Sequence, residues 1–247
     1  MFLKVCWIPS LVVAFAMIPK AMGDTKAQRK PWEFGRFLKT ASYFDAFKPK
    51  FKIPFLSSTK ASKVVQPNDV LWSSTESKGK FQNDFAWGPL DDVVMGGVSK
   101  TDLNPGQAFE GKWTGFTSSL NNGGFAGIRT KLFDPPLDLS ACKGLRIRFV
   151  GDGQRFKFIV RDDDDWNGIA WSSSFDTEKN KLVDVKVPFE AFTPTRFARR
   201  LPSVTPFNKK TLRGIQLTLS KFEYDGDLSP KFKEGPFSVV VDSIIAF

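Results

Sequence analysis

Histidine is absent from this sequence of 247 residues. Because histidine is the commonest general base and a frequent metal ligand, its absence excludes Ser-His-Asp and Cys-His catalytic arrangements and the usual zinc sites. Cysteine is scarce as well, since Cys6 lies near the N-terminus and Cys142 stands alone in the rest of the chain. A chain processed beyond Cys6 therefore has no internal disulfide and no thiolate metal site. We expect no metal ion and no cofactor.

An excess of positive charge is missing from most of the chain, although the formal net charge is +10. The excess of lysine and arginine lies before Val64, and the remaining residues are almost balanced in sign. Non-specific nucleic-acid binding requires a summed positive field over a domain, so nucleic acid is not an expected partner. A hydrophobic content of 41% is sufficient for one sizeable core.

Residues 1–23 are predicted to be a targeting leader. Lys4 precedes an apolar run, Val5–Pro19, that is too short to span a bilayer comfortably. Small residues in Ala21–Gly23 suit signal peptidase, so a secretory signal is the plain interpretation. The segment Val13–Ala16 is also similar to the alanine-phenylalanine junction in the two-part leaders of algae with secondary plastids. An uncleaved membrane anchor is a third interpretation.

Residues 24–80 are predicted to be a basic tether. Apolar residues at helical spacing predict an amphipathic helix over Glu33–Phe47, and Ser57–Lys80 has the composition of a linker. The helix would contact a membrane surface or a partner, or it would pack on its own domain. The residues assigned to this contact are Phe34, Arg36, Phe37, Lys39 and Phe44.

Residues 81–247 are predicted to form one antiparallel β-sandwich or jelly roll, because short apolar strands alternate with turn residues throughout. A tight hairpin at Gly151–Gly153 is expected to join two of them, and a helical turn is expected near Phe189–Phe192. The predicted strands are Val93–Lys100, Ala108–Gly115, Phe125–Phe133, Gly144–Val150, Gln154–Arg161, Gly168–Phe175, Lys181–Val187, Leu212–Lys221 and Pro236–Ala246.

Three features suggest chemistry. Asp91–Asp92 precedes Gly96–Gly97, but neighbouring strand residues point to opposite faces, so a brace for the glycine turn is favoured over an acid and base pair. Asp163–Gly168 matches the first half of a calcium loop only, and a solvated acidic turn is favoured. Trp87, Trp113, Trp166 and Trp171 suggest either a sugar-stacking platform or core packing, and core packing is favoured for most of them.

Five motifs resemble, in order and spacing, the complex I intermediate-associated protein family. They are DDVVMGGVS at Asp91–Ser99, NNGGFAGIRT at Asn121–Thr130, DLSACKGLRIRFVGDGQRFKFIVR at Asp138–Arg161, VPFEAFTPT at Val187–Thr195 and FSVVVDSIIAF at Phe237–Phe247. The resemblance implies a galactose-binding-like β-sandwich and a role as an assembly factor for large membrane complexes. WEFGRFLKTASYF at Trp32–Phe44 and the segment Leu217–Phe237 are similar to the cyanobacterial and plastid branch.

This chain departs from that branch because it has no strand-linked glycine-rich dinucleotide motif and no room for a nucleotide-binding domain. The hypothesis is thus a non-catalytic assembly or accessory factor for a photosystem or complex I, most simply in a plastid and associated with thylakoids, with a mitochondrial or secretory location as alternatives. A carbohydrate-binding module of a secretory protein is the main rival, and an enzyme acting on a sugar is a third reading. The proposed partner-binding residues are Asp91, Asp92, Gly96, Gly97, Asn122, Gly124, Arg129, Arg161, Glu223 and Asp225.

Overall fold

The structure is a computed structural model that describes residues 29–47 and 61–247. The predicted leader, the start of the tether and the segment 48–60 lie outside the described residues. Residues Phe34–Tyr43 form a helix, α1, inside the predicted range Glu33–Phe47. In the two described ranges, no helix combines the length and apolar character that crossing a bilayer requires.

The rest of the described chain is built mainly of strands. In chain order they are β1 (Lys63–Val64), β2 (Val70–Ser73), β3 (Trp87–Pro89), β4 (Lys100–Thr101), β5 (Lys112–Thr117), β6 (Phe125–Thr130), β7 (Leu137–Asp138), β8 (Gly144–Val150), β9 (Arg155–Arg161), β10 (Ala170–Asp176), β11 (Leu182–Pro188), β12 (Thr193–Arg196), β13 (Arg199–Arg200), β14 (Gly214–Ser220) and β15 (Gly235–Ala246). A 3₁₀ turn spans Phe189–Ala191, where a helical turn was expected.

Two antiparallel sheets form a sandwich. One has the strand order β13-β12-β10-β9-β14-β6-β3, and the other has the order β11-β8-β15-β5-β4 with β2 also paired to β15. Large apolar side chains from both sheets form a single core cluster between them. These sheets confirm the predicted all-β sandwich. Only β1 and β7, a two-residue pair among the described strands, run parallel.

The alternation of apolar residues in the sequence correctly predicts which side chains lie in the core. In β8, Leu145, Ile147 and Phe149 are fully buried, and in β9 Phe156 and Phe158 are fully buried. Because side chains alternate across a strand, the residues between them face away from the core. On this outward face of β9, Lys157, Ile159 and Arg161 are also buried.

The predicted hairpin at Gly151–Gly153 is wrong. Strand β8 pairs with β11 and β15, whereas β9 pairs with β10 and β14, so the connection passes from one sheet to the other. Phe149 and Phe156 meet across the core, with ring centroids 4.9 Å apart. Alternation shows which side of a strand is buried, but it does not show which strand is its neighbour.

Two further predictions need correction. The range Ser57–Lys80 is not a linker throughout, because β1 and β2 lie inside it and β2 pairs with β15. The predicted strand Val93–Lys100 is mostly a 3₁₀ turn and a loop, and only Lys100 belongs to a strand. Strand β2 has only four residues, which are too few for a periodic signal. In the range Val93–Lys100, hydrogen bonds to the Asp92 carboxylate determine the backbone conformation.

Trp72 tests where the domain begins. This β2 side chain is 1% exposed and packs on Trp87 and Phe109, with ring centroids 5.9 and 5.4 Å away. We expect Trp72→Ala to lower the free energy of unfolding by about 3–5 kcal/mol, measured by urea denaturation, because it leaves a large cavity. Leu182→Ala, an exposed position on β11, is the control and should change little. An equally small effect at Trp72 would show that the folded domain begins after β2.

Candidate functional site

The motif Asp91–Ser99 is a loop that wraps around two buried carboxylates. Asp92–Met95 form a 3₁₀ turn that ends at Gly96, whose φ of +86° lies in the left-handed region. Glycine adopts this conformation without steric strain, so it allows the chain to reverse directly after Met95. The two carboxylates then point into the domain, where each is 3% exposed or less.

Asp92 joins its own loop to the loop at residues 121–124. The Ser99 amide donates to Oδ1 over 2.9 Å, and the Ser99 hydroxyl donates to Oδ2 over 2.6 Å. The Gly124 amide donates to Oδ2 over 2.7 Å, and the Phe125 amide lies 3.3 Å from the same oxygen. A charged acceptor with several short donors is a strong interaction in a buried site. Asp92 therefore fixes both loops to each other.

Two glycines leave the space that this carboxylate occupies. A Cβ atom at Gly97 or at Gly123 would overlap the carboxyl group of Asp92. Gly97 in one motif and Gly123 in the other are therefore explained by close approach to one side chain. This role replaces the partner contact that was predicted for Gly97, because Gly97 is buried under its own loop.

Asp91 attaches the same loop to the sheets. Its Oδ2 accepts from the Thr101 amide over 2.9 Å, and its Oδ1 accepts from the Thr101 hydroxyl over 2.7 Å and from the Gly127 amide over 3.3 Å. Burial raises the pKa of Asp91 to about 6, in opposition to these hydrogen bonds and to the positive charge of Arg36. The side chain was predicted to contact a partner, but its position makes it an internal brace.

Arg36 connects α1 to this brace. Its Nη2 atom lies 3.3 Å from Oδ2 of Asp91 and donates to the Ser99 carbonyl over 2.8 Å, while Nη1 pairs with Glu33 over 3.1 Å. The sequence suggested a membrane or partner contact for Arg36. The structure instead shows an arginine that links the helix to the most buried part of the motif.

Apolar contacts complete the docking of α1. Phe37 and Ala41 pack with Val93 of the 3₁₀ turn in a small separate core cluster. The Trp32 indole donates to the Val93 carbonyl over 2.8 Å, and the Tyr43 hydroxyl donates to the main chain of β3 over 2.9 Å. Of the two alternatives for the helix, packing on its own domain is the one observed.

The loop at residues 121–124 contacts both the segment that precedes α1 and the loop around Asp91. The Asn121 side chain donates to the Lys30 carbonyl over 2.8 Å and to the Gly96 carbonyl over 2.9 Å. Asn122 is exposed with φ of +59°, and Gly124 has φ of +128°. Three segments that are distant in sequence thus form one structure, and Asn122 is the predicted residue that this loop leaves open to solvent.

Three exposed aromatic side chains lie on α1 or next to its ends. Trp32, Phe34 and Phe47 are each 42–50% exposed, and all three pack around Phe37 with ring centroids 5.4–6.1 Å from it. We call these three exposed side chains the aromatic patch. Met95, which is 58% exposed, is the last residue of the 3₁₀ turn whose Val93 carbonyl accepts from Trp32. The sequence did not point to Trp32, Phe47 or Met95 as site residues, because nothing in it shows that α1 and this turn are neighbours.

The remaining predicted residues are held elsewhere. Glu223 accepts from the Ser174 hydroxyl over 2.6 Å and from Arg155 over 3.2 Å, and Asp225 pairs with Arg200 over 2.8 Å. The Glu223 carboxylate is thus used inside the domain, whereas Asp225 and Arg200 are both exposed, so a partner contact at Asp225 stays a prediction. Lys157 of β9 donates to the backbone carbonyl groups of residues 222 and 223, and burial lowers its pKa to about 8.

Arg129 and Arg161 are buried on the outward face of the seven-stranded sheet, so neither is the surface charge that was expected. Phe44, a predicted tether residue, is buried against Arg129, with the guanidinium carbon 5.7 Å from its ring centroid. Lys39 is exposed on α1, as its position in the predicted helix indicated.

Comparison with known proteins places this geometry in a family. The model of the family described as Complex I intermediate-associated protein 30 (CIA30) matches residues 74–241. The match covers more than half of the chain and contains both buried carboxylates with the glycines around them. The chain belongs to the complex I intermediate-associated protein 30 family. No curated protein matches its sequence.

Several solved structures are similar in fold. The family 11 carbohydrate-binding module of the cellulosomal cellulase Lic26A-Cel5E of Clostridium thermocellum has 16% identity and a TM-score of 0.47, covering 73% of this chain and 95% of that chain. The same family's module in complex with a mixed-linked tetrasaccharide has 20% identity and a TM-score of 0.41, covering 65% and 88%. The agarase AgWH50C has 8% identity and a TM-score of 0.42, covering 72% and 26%. At these identities the likeness concerns the fold alone.

Asp92→Asn tests the central brace. The substitution replaces one acceptor oxygen with a donor that faces amide donors, so we expect the free energy of unfolding to fall by about 2–4 kcal/mol. Asp102→Asn is the matched control, because Asp102 is exposed and pairs only with Lys100 over 3.5 Å. Urea denaturation of both variants measures the difference. Equal stability of the two variants would contradict the bracing role.

Asp91 should make stability depend on pH. The folded-state pKa of about 6 exceeds the ordinary value of 3.8, so the folded protein binds this proton more tightly than the unfolded chain. The Asp91 contribution to the free energy of unfolding should therefore decrease by about 3 kcal/mol as the pH rises from about 4 to about 7. Denaturation of Asp91→Asn should lack this part of the pH dependence. An unchanged difference between the variant and the parent chain across that range would refute it.

Proposed function

We propose that this protein is a non-catalytic assembly or accessory factor that binds a membrane protein complex of the complex I or photosystem type. Membership of the complex I intermediate-associated protein 30 family supports the general role. The observation that carries the proposal is the aromatic patch, because it gives the domain a defined place at which a partner can bind.

The patch has the properties of a binding surface. Three large exposed rings lie side by side around Phe37, whereas monomeric proteins seldom expose contiguous apolar area without a function, and Met95 is exposed on the 3₁₀ turn that binds Trp32. Aromatic side chains and methionine are enriched at protein interfaces, and tryptophan often supplies a large part of the binding energy. Leu38, one turn after Phe34 on α1, is 42% exposed and extends the same helix surface.

The patch is also held rigidly. Arg36 and Trp32 bind the loop around Asp91, and that loop is fixed by the buried carboxylates. A surface that is ordered before binding loses less conformational entropy when a partner binds. Arg29, Lys30 and Lys39 are exposed on the same segment, so an acidic partner face or an anionic membrane surface next to the partner is favoured.

Two features support a non-catalytic role. Asp91 and Asp92 are buried and each accepts hydrogen bonds from internal donors, so neither is presented to a substrate. Trp87, Trp113 and Trp171 belong to the core, and of the four predicted platform rings Trp166 alone is partly exposed. Three of the four tryptophans that suggested a carbohydrate-binding module therefore do not support it.

Mutation of the patch tests the proposal. We expect the double variant Phe34→Ser/Phe47→Ser to lose co-purification with its membrane complex, with affinity reduced about tenfold or more, because exposed aromatic anchors carry much of such binding energy. The measurement is affinity purification of the tagged full chain from gently solubilised membranes, followed by mass spectrometry. Its thermal midpoint should stay close to that of the parent chain, because both rings are already half exposed.

Leu182→Ser is the matched control, since it removes an exposed apolar side chain from β11 in the opposite sheet. It should recover the same complex as the parent chain. Undiminished recovery by the patch variant would refute the proposed surface. The same preparations test the location predicted from the leader, because a plastid protein associated with thylakoids should co-fractionate with those membranes.

A further inference from the structure

The outward face of the seven-stranded sheet contains a buried polar layer. Strand β14 lies between β6 and β9, and Gln216 is directly opposite Arg129 on one side and Ile159 on the other. Arg161 lies two positions further along β9, opposite Gly214, which has no side chain. The side chains of Arg129, Gln216 and Arg161 are therefore close neighbours on one face.

Arg129 is buried and has an unused donor. Only 3% of the residue is exposed, and no acceptor among the described residues meets its Nε atom. Asp163 is the carboxylate whose charge favours the protonated guanidinium, while burial and the charge of Arg161 lower the pKa of Arg129. Burial of an unpaired cation is costly, so such groups are normally paired.

Arg161 has the same deficit. It is 9% exposed, its Nε atom also has no acceptor in the described part of the chain, and Nη1 donates to the Gly168 carbonyl over 3.2 Å. Burial lowers the pKa of Arg161, and the charges of Asp163 and Asp165 oppose this effect. Two neighbouring guanidinium groups thus keep donors unused in a site where water has little access.

An unused acceptor lies beside these donors. Oε1 of Gln216 is buried and has no donor partner in the described residues, while its Nε2 donates to the Thr218 hydroxyl over 2.9 Å. Buried side-chain polar atoms are usually hydrogen-bonded, and a cluster that is not suggests a missing ligand. The missing group must accept hydrogen bonds from the arginines and donate one to Gln216.

Aromatic rings cover Arg129. The guanidinium carbon of Arg129 lies 5.0 Å from the Trp166 ring centroid and 5.7 Å from that of Phe44, and the two rings pack on each other at 5.5 Å. Phe44 follows α1, whereas Trp166 lies in the loop between β9 and β10 and is partly exposed. A ligand would enter beside Trp166.

We propose that Arg129 and Arg161 form a binding site for a carboxylate that carries a neighbouring hydrogen-bond donor. The planar guanidinium fork matches a carboxylate through two parallel hydrogen bonds. An adjacent hydroxyl or amide N–H supplies the donor for Gln216, which a sulfate ion lacks. Two sources have this chemistry, namely a hydroxy acid and the free carboxyl terminus of a polypeptide. The inference does not rest on the proposed function.

Calorimetric titration of the full chain tests the ligand class with four probes. Glycolate represents a hydroxy acid, N-acetylglycine represents a chain terminus, N-acetylglycinamide is its neutral counterpart, and sulfate is the competing anion. We expect one or both acids to bind at least about tenfold more tightly than the amide and sulfate, because the amide lacks the charge that strengthens the hydrogen bonds and sulfate lacks a donor for Gln216. The stronger acid identifies the source. Binding of neither acid, or equal binding of the amide or of sulfate, would overturn the inference.

Arg129→Met tests the site itself, because it keeps an unbranched side chain against the rings and removes the charge. We expect loss of acid binding and a thermal midpoint, without ligand, equal to or above that of the parent chain. Arg129→Lys keeps a positive charge without the fork and should bind about tenfold more weakly.

Arg148→Gln is the control, since Arg148 lies on β8 in the other sheet and pairs with Asp242 over 3.5 Å. This variant should bind the acid as the parent chain does. Retained binding by Arg129→Met would overturn the site. So would a fall in its thermal midpoint as large as that caused by Asp92→Asn, because Arg129 would then be a structural brace.

Discussion

The hydrogen bonds that Asp92 accepts determine the shape of this end of the domain. One carboxylate binds the main chain on either side of it, at Ser99 and at Gly124, and so joins two loops that are separate in sequence. Without a charged acceptor at this position, several buried amide groups would have no partner, which is costly in a protein interior. The loops therefore keep one arrangement.

The docking of α1 depends on this arrangement. Arg36 can pair with Asp91 and with the Ser99 carbonyl only if the loop presents both on the same side. Trp32 and Phe37 then pack against Val93 in the 3₁₀ turn, and the exposed rings are placed around them. The aromatic patch is thus built on an internal polar network whose carboxylates are buried.

How much of this follows from the sequence varies by element. The alternation in β8 and β9 predicts their buried faces, since one apolar residue in two is a strong local signal. The partner strands of β8 and β9, the docking of α1 and the burial of Arg129 depend on contacts between distant segments, and periodicity contains no information on them. The motif around Asp91 was recognisable by its residues, but a carboxylate that points inward has the same letters as one that points outward.

The buried carboxylate of Asp92 and the buried guanidinium groups of Arg129 and Arg161 differ in how completely they are hydrogen-bonded. Asp92 accepts hydrogen bonds from several donors, whereas Arg129, which lies under aromatic rings, and Arg161 each keep a buried Nε donor without an acceptor among the described residues. Stability alone would favour an apolar side chain at either arginine, because replacing a buried charge by a hydrophobic residue of similar volume is often neutral or stabilising. Residues that lower stability in the unbound protein are common at binding sites, where the ligand supplies the missing interactions. The carboxylates thus explain how the domain is held together, and the arginines indicate what it still lacks.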